Sequence, residues 1–325
     1  MRVTVLGASG FLGRPVARAF RRAGHDVRGV VRSANRIPVV VADGGEPFLG
    51  DILDQSSMER AVRGADLVVH LASAPGGVDL ASMRKVRVDG ATTLMAAART
   101  AHVARVIVGS GYWVYAGASG VLTEDSPMDP MSISQVNRDA ECAALDASAG
   151  DGPGIVLVRP GMVYGNGSWF AEMVRELRHG TYQYIDEGEN LMAPIDAEDL
   201  GEAFRTIGEK ATAPGTFLAV DDAPVSVKEF STSVAHWIGI DPPGSIPLAE
   251  ATGAWGRELA LLNAASRPAS NARLRGLGWA PKFPRFTDGV PELLRKMAQS
   301  SSPTARPEDG AWVGYAASGE TDRLD

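Results

Sequence analysis

The chain has a single cysteine in 325 residues, which rules out an internal disulfide and a cysteine-rich metal cluster. That residue, Cys142, stands among Ala140, Ala143 and Ala144 on a predicted helix and reads as a small packed hydrophobe rather than a nucleophile. Histidine is scarce too: the five copies form no His-x-x-x-His pair, so no metal centre is expected, and His70, inside an apolar run, reads as core. No apolar stretch approaches the roughly 18 residues of a membrane-spanning helix. The first strand-like run opens at residue 2 with no leader-like segment before it, so a cytoplasmic location is expected. Basic runs are missing, and the net charge of −7 argues against nucleic acid or an anionic membrane as partner. What the chain does have is 45% hydrophobic residues over a length that suits one domain and an added lobe.

Its amino terminus carries a nucleotide-binding pattern. Arg2-Val3-Thr4-Val5-Leu6 reads as a short buried strand running into Gly7-Ala8-Ser9-Gly10-Phe11-Leu12-Gly13 and then a helix. A strand, a glycine turn and a helix N-terminus in that order allow backbone to approach a pyrophosphate and aim unpaired N–H groups at it. About 20 residues further on, where an acidic residue would bind a ribose 2′-hydroxyl, stands Arg32, with Ser33 and Arg36 beside it. A cation there suits a 2′-phosphate, so NADP (NADPH) is expected rather than NAD.

Strand-like and helix-like runs alternate along the rest of the chain, the pattern of an α/β doubly wound parallel sheet. Strands are predicted near 2–6, 27–31, 67–71, 105–109 and 155–159, with short ones near 38–41 and 47–49. Helices are predicted near 14–23, 56–62, 82–102, 134–149, 169–179 and 196–208. The dinucleotide-binding domain is assigned to residues 1–165, with 197–220 returning to it, and a smaller substrate lobe to 166–196 and 221–298. Residues 299–325, poor in large apolar side chains except Trp312 and Tyr315, are expected to be a flexible tail.

The G-x-x-G-x-x-G spacing and a series of ordered blocks resemble the extended branch of the short-chain dehydrogenase/reductase superfamily, which includes nucleotide-sugar epimerases and dehydratases. The blocks are Gly50-Asp51-Ile52, Val68 to Ser73, Val88 to Thr92, Arg105 to Ser110, Arg159 to Gly165 and Pro194 to Leu200. The resemblance covers Arg2 to about Met297 and implies a Rossmann-type fold. It also implies that Gly7, Ser9, Gly10, Phe11 and Leu12 hold the pyrophosphate and that Asp51 and Ile52 meet the adenine. On the same basis Leu71, Ala72 and Ser73 pass the adenine ribose and pyrophosphate, and Pro160, Gly161 and Val163 lie against the nicotinamide.

In that superfamily a Ser or Thr hydrogen-bonds the carbonyl, a Tyr moves the proton, and a Lys holds the nicotinamide ribose and tunes the tyrosine. Val114-Tyr115 and Ala140-Glu141 anchor the alignment, which puts Gly111 at the hydroxyl position, with Ser110 one residue early, Ile133 at the tyrosine and Asn137 at the lysine. Ile133 has no proton to give, and Asn137 hydrogen-bonds without charge. Ser110 is the one weak catalytic candidate.

Three classes of function stay open. A nucleotide-sugar epimerase or dehydratase needs a strong base at an unactivated hydroxyl, which this pair lacks, although Arg175, Arg178 and His179 keep that reading open. A non-catalytic NADP-binding sensor or scaffold needs only the glycine loop. The third is ketone reduction by direct hydride transfer, with the proton supplied by a hydroxyl on the substrate itself. The replaced pair, the glycine loop and Arg32 also resemble the atypical angucyclinone ketoreductases of antibiotic pathways, which implies NADPH-dependent reduction of a carbonyl on an aromatic polyketide. Tyr112, Trp113, Tyr164, Trp169 and Met192 are the expected lining for such an aromatic ketone, and the protein is expected to be a monomer or homodimer.

Overall fold

The computed structural model describes residues 1–300 except 75–78, 116–119 and 168, and leaves aside the side chains of Ser132, Ile133 and Ser300. The tail assigned to 299–325, with Trp312 and Tyr315, lies almost wholly outside the described residues. The first half alternates strand and helix: β1 (Arg2–Leu6), α1 (Gly13–Arg22), β2 (Asp26–Val31), α2 (Ile37–Ala42), β3 (Glu46–Leu49), α3 (Gln55–Val62) and β4 (Leu67–His70). Next come α4 (Leu80–Arg84), one π-helical turn (Lys85–Asp89), α5 (Gly90–Thr100), β5 (Arg105–Gly109), α6 (Ser132–Ser148) and β6 (Gly154–Pro160). Four short strands follow, β7 (Met162–Tyr164), β8 (Gln183–Ile185), β9 (Leu191–Met192) and β10 (Pro194–Asp196), with α7 (Trp169–His179) after the first. The remainder comprises α8 (Ala197–Lys210), β11 (Gly215–Ala219), β12 (Val225–Ser226), α9 (Val227–Trp237), β13 (Gly244–Ile246), α10 (Leu248–Trp255), α11 (Arg257–Ala264), α12 (Ala272–Gly276) and α13 (Phe286–Ser300).

Seven of these strands form one parallel sheet in the order β11-β6-β5-β4-β1-β2-β3. The strands read as near-continuous Val, Ile and Leu because helices cover both faces. Val3, Val5, Val69, Ile107 and Val156 pack with Val16 and Phe20 of α1 and Leu200, Phe204 and Ile207 of α8. Leu6, Val68, Val106 and Ile155 pack on the other face with Met58 and Val62 of α3, Leu94 and Met95 of α5 and Ala144 of α6. A separate apolar cluster joins Phe170 and Met173 of α7, Phe230 and Val234 of α9 and Phe286 and Val290 of α13.

One predicted strand is a helix. Ile37-Pro38-Val39-Val40-Val41-Ala42 has the β-branched content of a buried strand, yet it forms α2, with Pro38 in its first turn and Val40 alone buried. Proline fits the first turn of a helix, and the short segment must cross from β2 to the parallel β3, so tertiary connection overrides propensity here. Cys142 also departs from expectation: it lies on the exposed side of α6, while Ala140 and Ala144 face inward.

Candidate functional site

The sheet order runs outward from β1 to β3 on one side and from β4 to β11 on the other. β1 and β4 therefore flank the switch point where parallel sheets bind ligands beyond the carboxyl ends of their strands. Gly7 ends β1 with φ of +78°, and a Cβ on it would stand 2.8 Å from the Leu71 carbonyl oxygen, so the loops after β1 and β4 meet there. A Cβ on Gly13 would lie 2.0 Å from the Gly7 carbonyl oxygen, which seats the first turn of α1 directly on the glycine loop. That turn carries no side-chain cap and no acidic residue. Pro15 has no N–H and the Arg14 N–H is taken by the Gly10 carbonyl at 3.1 Å, so an anion would meet the positive dipole end of α1 and the loop before it, where Ser9, Gly10, Phe11 and Leu12 are all partly exposed.

Arg32 and Ser33 are exposed just beyond β2, and among the described residues Arg32 has no hydrogen-bond or ion-pair partner. Arg14 and Arg18 of α1, by contrast, are committed to Asp43, at 2.8 and 3.1 Å. Arg36 lies in the helical turn that follows Ser33. Asp51, beyond β3, accepts the Leu53 N–H at 3.0 Å, and the adjacent Ile52 is buried against Gly90 at the start of α5. Leu71 and Ala72 are half-buried beside the glycine loop and Ser73 is exposed. Pro160 at the end of β6, Gly161 after it and Val163 of β7 are buried, and a Cβ on Gly161 would lie 2.1 Å from the Ala193 carbonyl oxygen.

Ser110 follows β5. Its N–H donates to the Val158 carbonyl at 2.8 Å, while its buried Oγ has no partner among the described residues. On α6, Asn137 is buried, and its Oδ1 accepts from Nη1 of Arg87 at 2.5 Å. Arg87 belongs to the π-helical turn between α4 and α5, which the sequence pattern presented as one unbroken helix. Burial brings its pKa down to about 10, so it stays cationic at neutral pH, and its shielded Nε has no partner among the described residues. His70, at the end of β4, is held neutral: burial first, and the charge of Arg87 second, bring its pKa down to about 4. Sequence reasoning missed Arg87 because a single arginine on a helix reads as a solvated surface charge.

Of the residues expected to line a substrate cleft, Tyr112, Tyr164, Trp169 and Met192 are each at most 7% exposed and belong to the apolar cluster of α7, α9 and α13. Trp169 Nε1 donates to the Val163 carbonyl at 2.7 Å. Trp113 keeps partial exposure, with the Arg267 guanidinium 4.7 Å above its ring. Burial, and then the carboxylates of Asp196 and Asp221, push the Tyr164 hydroxyl far above the usual phenol range, which makes it a poor acid. Below this region a buried Arg159 binds both carboxylate oxygens of Glu141, at 2.9 and 2.7 Å, and also donates to the Tyr115 hydroxyl. That bidentate pair ties α6 to β6 and fixes the helix that carries Asn137. Arg175 pairs with Glu172 on α7, where Arg178 and His179 are exposed. Among the described residues no group of His, Cys, Asp and Glu is arranged to hold a metal, and no helix is long and apolar enough to cross a membrane.

The model of the NAD dependent epimerase/dehydratase family matches residues 3–219. A "3-diazoavenalumate denitrifying reductase" from a Streptomyces species is 30% identical over 309 residues, covering 89% of this chain and 99% of its own. A ketoreductase from Stigmatella aurantiaca, named for a 4-hydroxy-2-methyl-3-oxo-4-farnesyl-3,4-dihydroquinoline-1-oxide, is 28% identical over 78% of each chain. In fold the chain is similar to the dTDP-glucose 4,6-dehydratase DesIV of Streptomyces venezuelae, with a TM-score of 0.78 at 21% identity, over 92% of this chain and 98% of that one.

Proposed function

The chain belongs to the NAD-dependent epimerase/dehydratase family and is an NAD(P)-dependent oxidoreductase; from that premise we propose that it is an NADPH-dependent ketoreductase acting on an aromatic polyketide ketone. The observation that carries this reading is the glycine loop beneath the N-terminus of α1 with Arg32 exposed beyond β2 and unpaired among the described residues, taken with Ile133 and Asn137 on α6 where the family resemblance expects a proton-moving tyrosine and its lysine. The glycine loop, the open N-terminus of α1 and Arg32 suit a dinucleotide with a 2′-phosphate. A cofactor bound there supplies hydride.

The protein's part is to place that hydride and exclude water. Gly7, Ser9, Gly10, Phe11 and Leu12 hold the pyrophosphate, Arg32 with Ser33 and Arg36 takes the 2′-phosphate, and Asp51 with Ile52 takes the adenine. Leu71, Ala72 and Ser73 border the pyrophosphate, while Asn137, Pro160, Gly161 and Val163 border the nicotinamide. Residues 1–165 and 197–220 form the cofactor domain in this scheme, and 166–196 with 221–298 form the substrate lobe. As hydride reaches the carbonyl carbon, the carbonyl electron pair moves onto oxygen. A phenolic or enolic hydroxyl next to that oxygen delivers the proton and regains one from water, so the ketone ends as an alcohol and the cofactor is oxidised. The relative named as a ketoreductase of a hydroxylated quinoline oxide supports a carbonyl acceptor; the relative named as a denitrifying reductase supports reduction in general.

The test is purified protein with NADPH and matched aromatic ketones that have or lack a hydroxyl adjacent to the carbonyl. Loss of the reduced-nicotinamide absorbance with hydroxylated ketones, and much slower loss with their methyl ethers, is the expected result. Binding of NADPH without consumption across the panel would favour a sensor or scaffold instead.

A further inference from the structure

The lysine of the family pattern brings a positive charge to the nicotinamide end of the cleft, and Asn137 in its place brings none. Charge nevertheless reaches that point from another helix. Arg87 Nη1 lies 2.5 Å from Asn137 Oδ1. A guanidinium only donates, so the amide must turn its oxygen toward Arg87 and its nitrogen away. That nitrogen has no partner among the described residues, which leaves a fixed N–H donor where a lysine would offer one.

The surroundings of Arg87 fit a cation that belongs to a site. Among the described residues it has no carboxylate partner, and its Nε is shielded without a hydrogen bond. A half-buried guanidinium with one shielded N–H unpaired and no carboxylate beside it is costly to keep unless something else uses it. The π-helical turn Lys85–Asp89 interrupts the path from α4 to α5 and re-aims Arg87, and such turns recur at functional sites. At the ends of the adjacent β4 and β5, His70 Nδ1 and Ser110 Oγ are likewise buried without partners, so polar groups left open by the protein collect along this edge of the sheet.

We infer that Arg87 supplies, from the turn between α4 and α5, the positive charge that the lysine pattern would bring. It is a positioning residue that holds the Asn137 amide nitrogen toward the nicotinamide ribose. Its charge also favours the anionic oxygen formed during hydride transfer. The inference rests on the nicotinamide-cofactor reading but not on the identity of the ketone.

The test uses the full chain and measures dissociation constants for NADPH and NADH by nucleotide fluorescence. Arg87→Met, which keeps the apolar stem, is expected to weaken both cofactors about tenfold, as loss of a charge-assisted contact would. Arg87→Lys should recover part of that loss, and Arg87→Met with Asn137→Lys most of it, because the cation then returns on α6. Asn137→Leu should weaken binding by a similar factor, with Arg87→Met adding little on top. Unchanged binding in Arg87→Met, or an Arg87→Met/Asn137→Lys protein no better than Arg87→Met, would overturn the inference. Melting temperatures of each variant separate misfolding from lost binding, and if Arg87→Met fails to fold, Arg87→Lys and Asn137→Leu decide the matter by the same criteria. Failure of every ketone in the panel would count against the proposed reaction and leave this test standing, whereas wild-type protein that binds neither cofactor would overturn both.

Discussion

Arg32 and Ser110 differ in what the fold leaves them to do. Arg32 is exposed and unpaired among the described residues at the end of β2, while Arg14 and Arg18 of α1 are held by Asp43. An uncommitted guanidinium at this place favours a 2′-phosphate, so Arg32→Ala should weaken NADPH at least tenfold and leave NADH nearly unchanged, as read by the ratio of the two dissociation constants. Ser110 has a buried, unpartnered hydroxyl, yet substrate-assisted protonation does not depend on it. Ser110→Ala should therefore retain turnover within about tenfold of wild type. A collapse of turnover with normal NADPH binding would sink the substrate-assisted scheme. Arg32 was legible as a candidate from its spacing after the glycines, and Ser110 from the family resemblance. Arg87 was not, because its importance lies in facing Asn137 across two helices fifty positions apart in sequence.

At the level of elements, β1 to β6 and α1, α3, α6, α7 and α8 followed from periodicity with small shifts at their ends, whereas the short strands β7 to β10 and every element after α8 were not predicted. Asp54 begins α3 by accepting the Ser56 N–H, and Asp196 begins α8 by accepting the Glu198 N–H at 2.7 Å. The misread segment is 37–42, where valine content outweighed the proline signal, and the π-helical turn before α5 has no signature in hydrophobic spacing. The contact that seats the glycine loop is the packing of α1 between the sheet and α8, with Phe20 fully buried in it. Truncating that ring removes core area and leaves a cavity, so Phe20→Ala is expected to cost about 3–5 kcal/mol in denaturant unfolding. A loss under about 1 kcal/mol would show that α1 is not held by this contact.

Across the whole molecule, buried carboxylates join the sheet to the C-terminal segments. Asp199 on α8 accepts the N–H groups of Lys282 and Phe283 at 2.8 and 2.9 Å, and Asn271 donates to the carbonyls of Val220 and Asp221. Burial raises Asp196 to a pKa of about 6 and Asp221 to about 8, against roughly 4 for either in an unfolded chain. Between those values the folded chain binds protons that the unfolded chain has released, so its stability falls as pH rises. The contribution of Asp221 is therefore whole below about pH 4 and is lost through about pH 8. Asp221→Asn should flatten that part of the unfolding free energy against pH and be relatively more stable than wild type at the alkaline end. Parallel pH profiles for the two proteins would contradict the assignment.

The sequence by itself determined the dinucleotide architecture, because strand periodicity, glycine spacing and a cation after the second strand are local properties that survive reading in one dimension. Through the family resemblance it also led to the proposal that Ile133 and Asn137 stand where a tyrosine and a lysine are expected, a matter of residue identity and not of geometry. Tertiary structure alone decided what stands around that pair. It packed Tyr112, Tyr164, Trp169 and Met192 into core, left Cys142 on the surface, and brought Arg87 onto Asn137. Burial and pairing arise from chain segments meeting in space, and a charge on one helix acquires its meaning from the residue it faces on another.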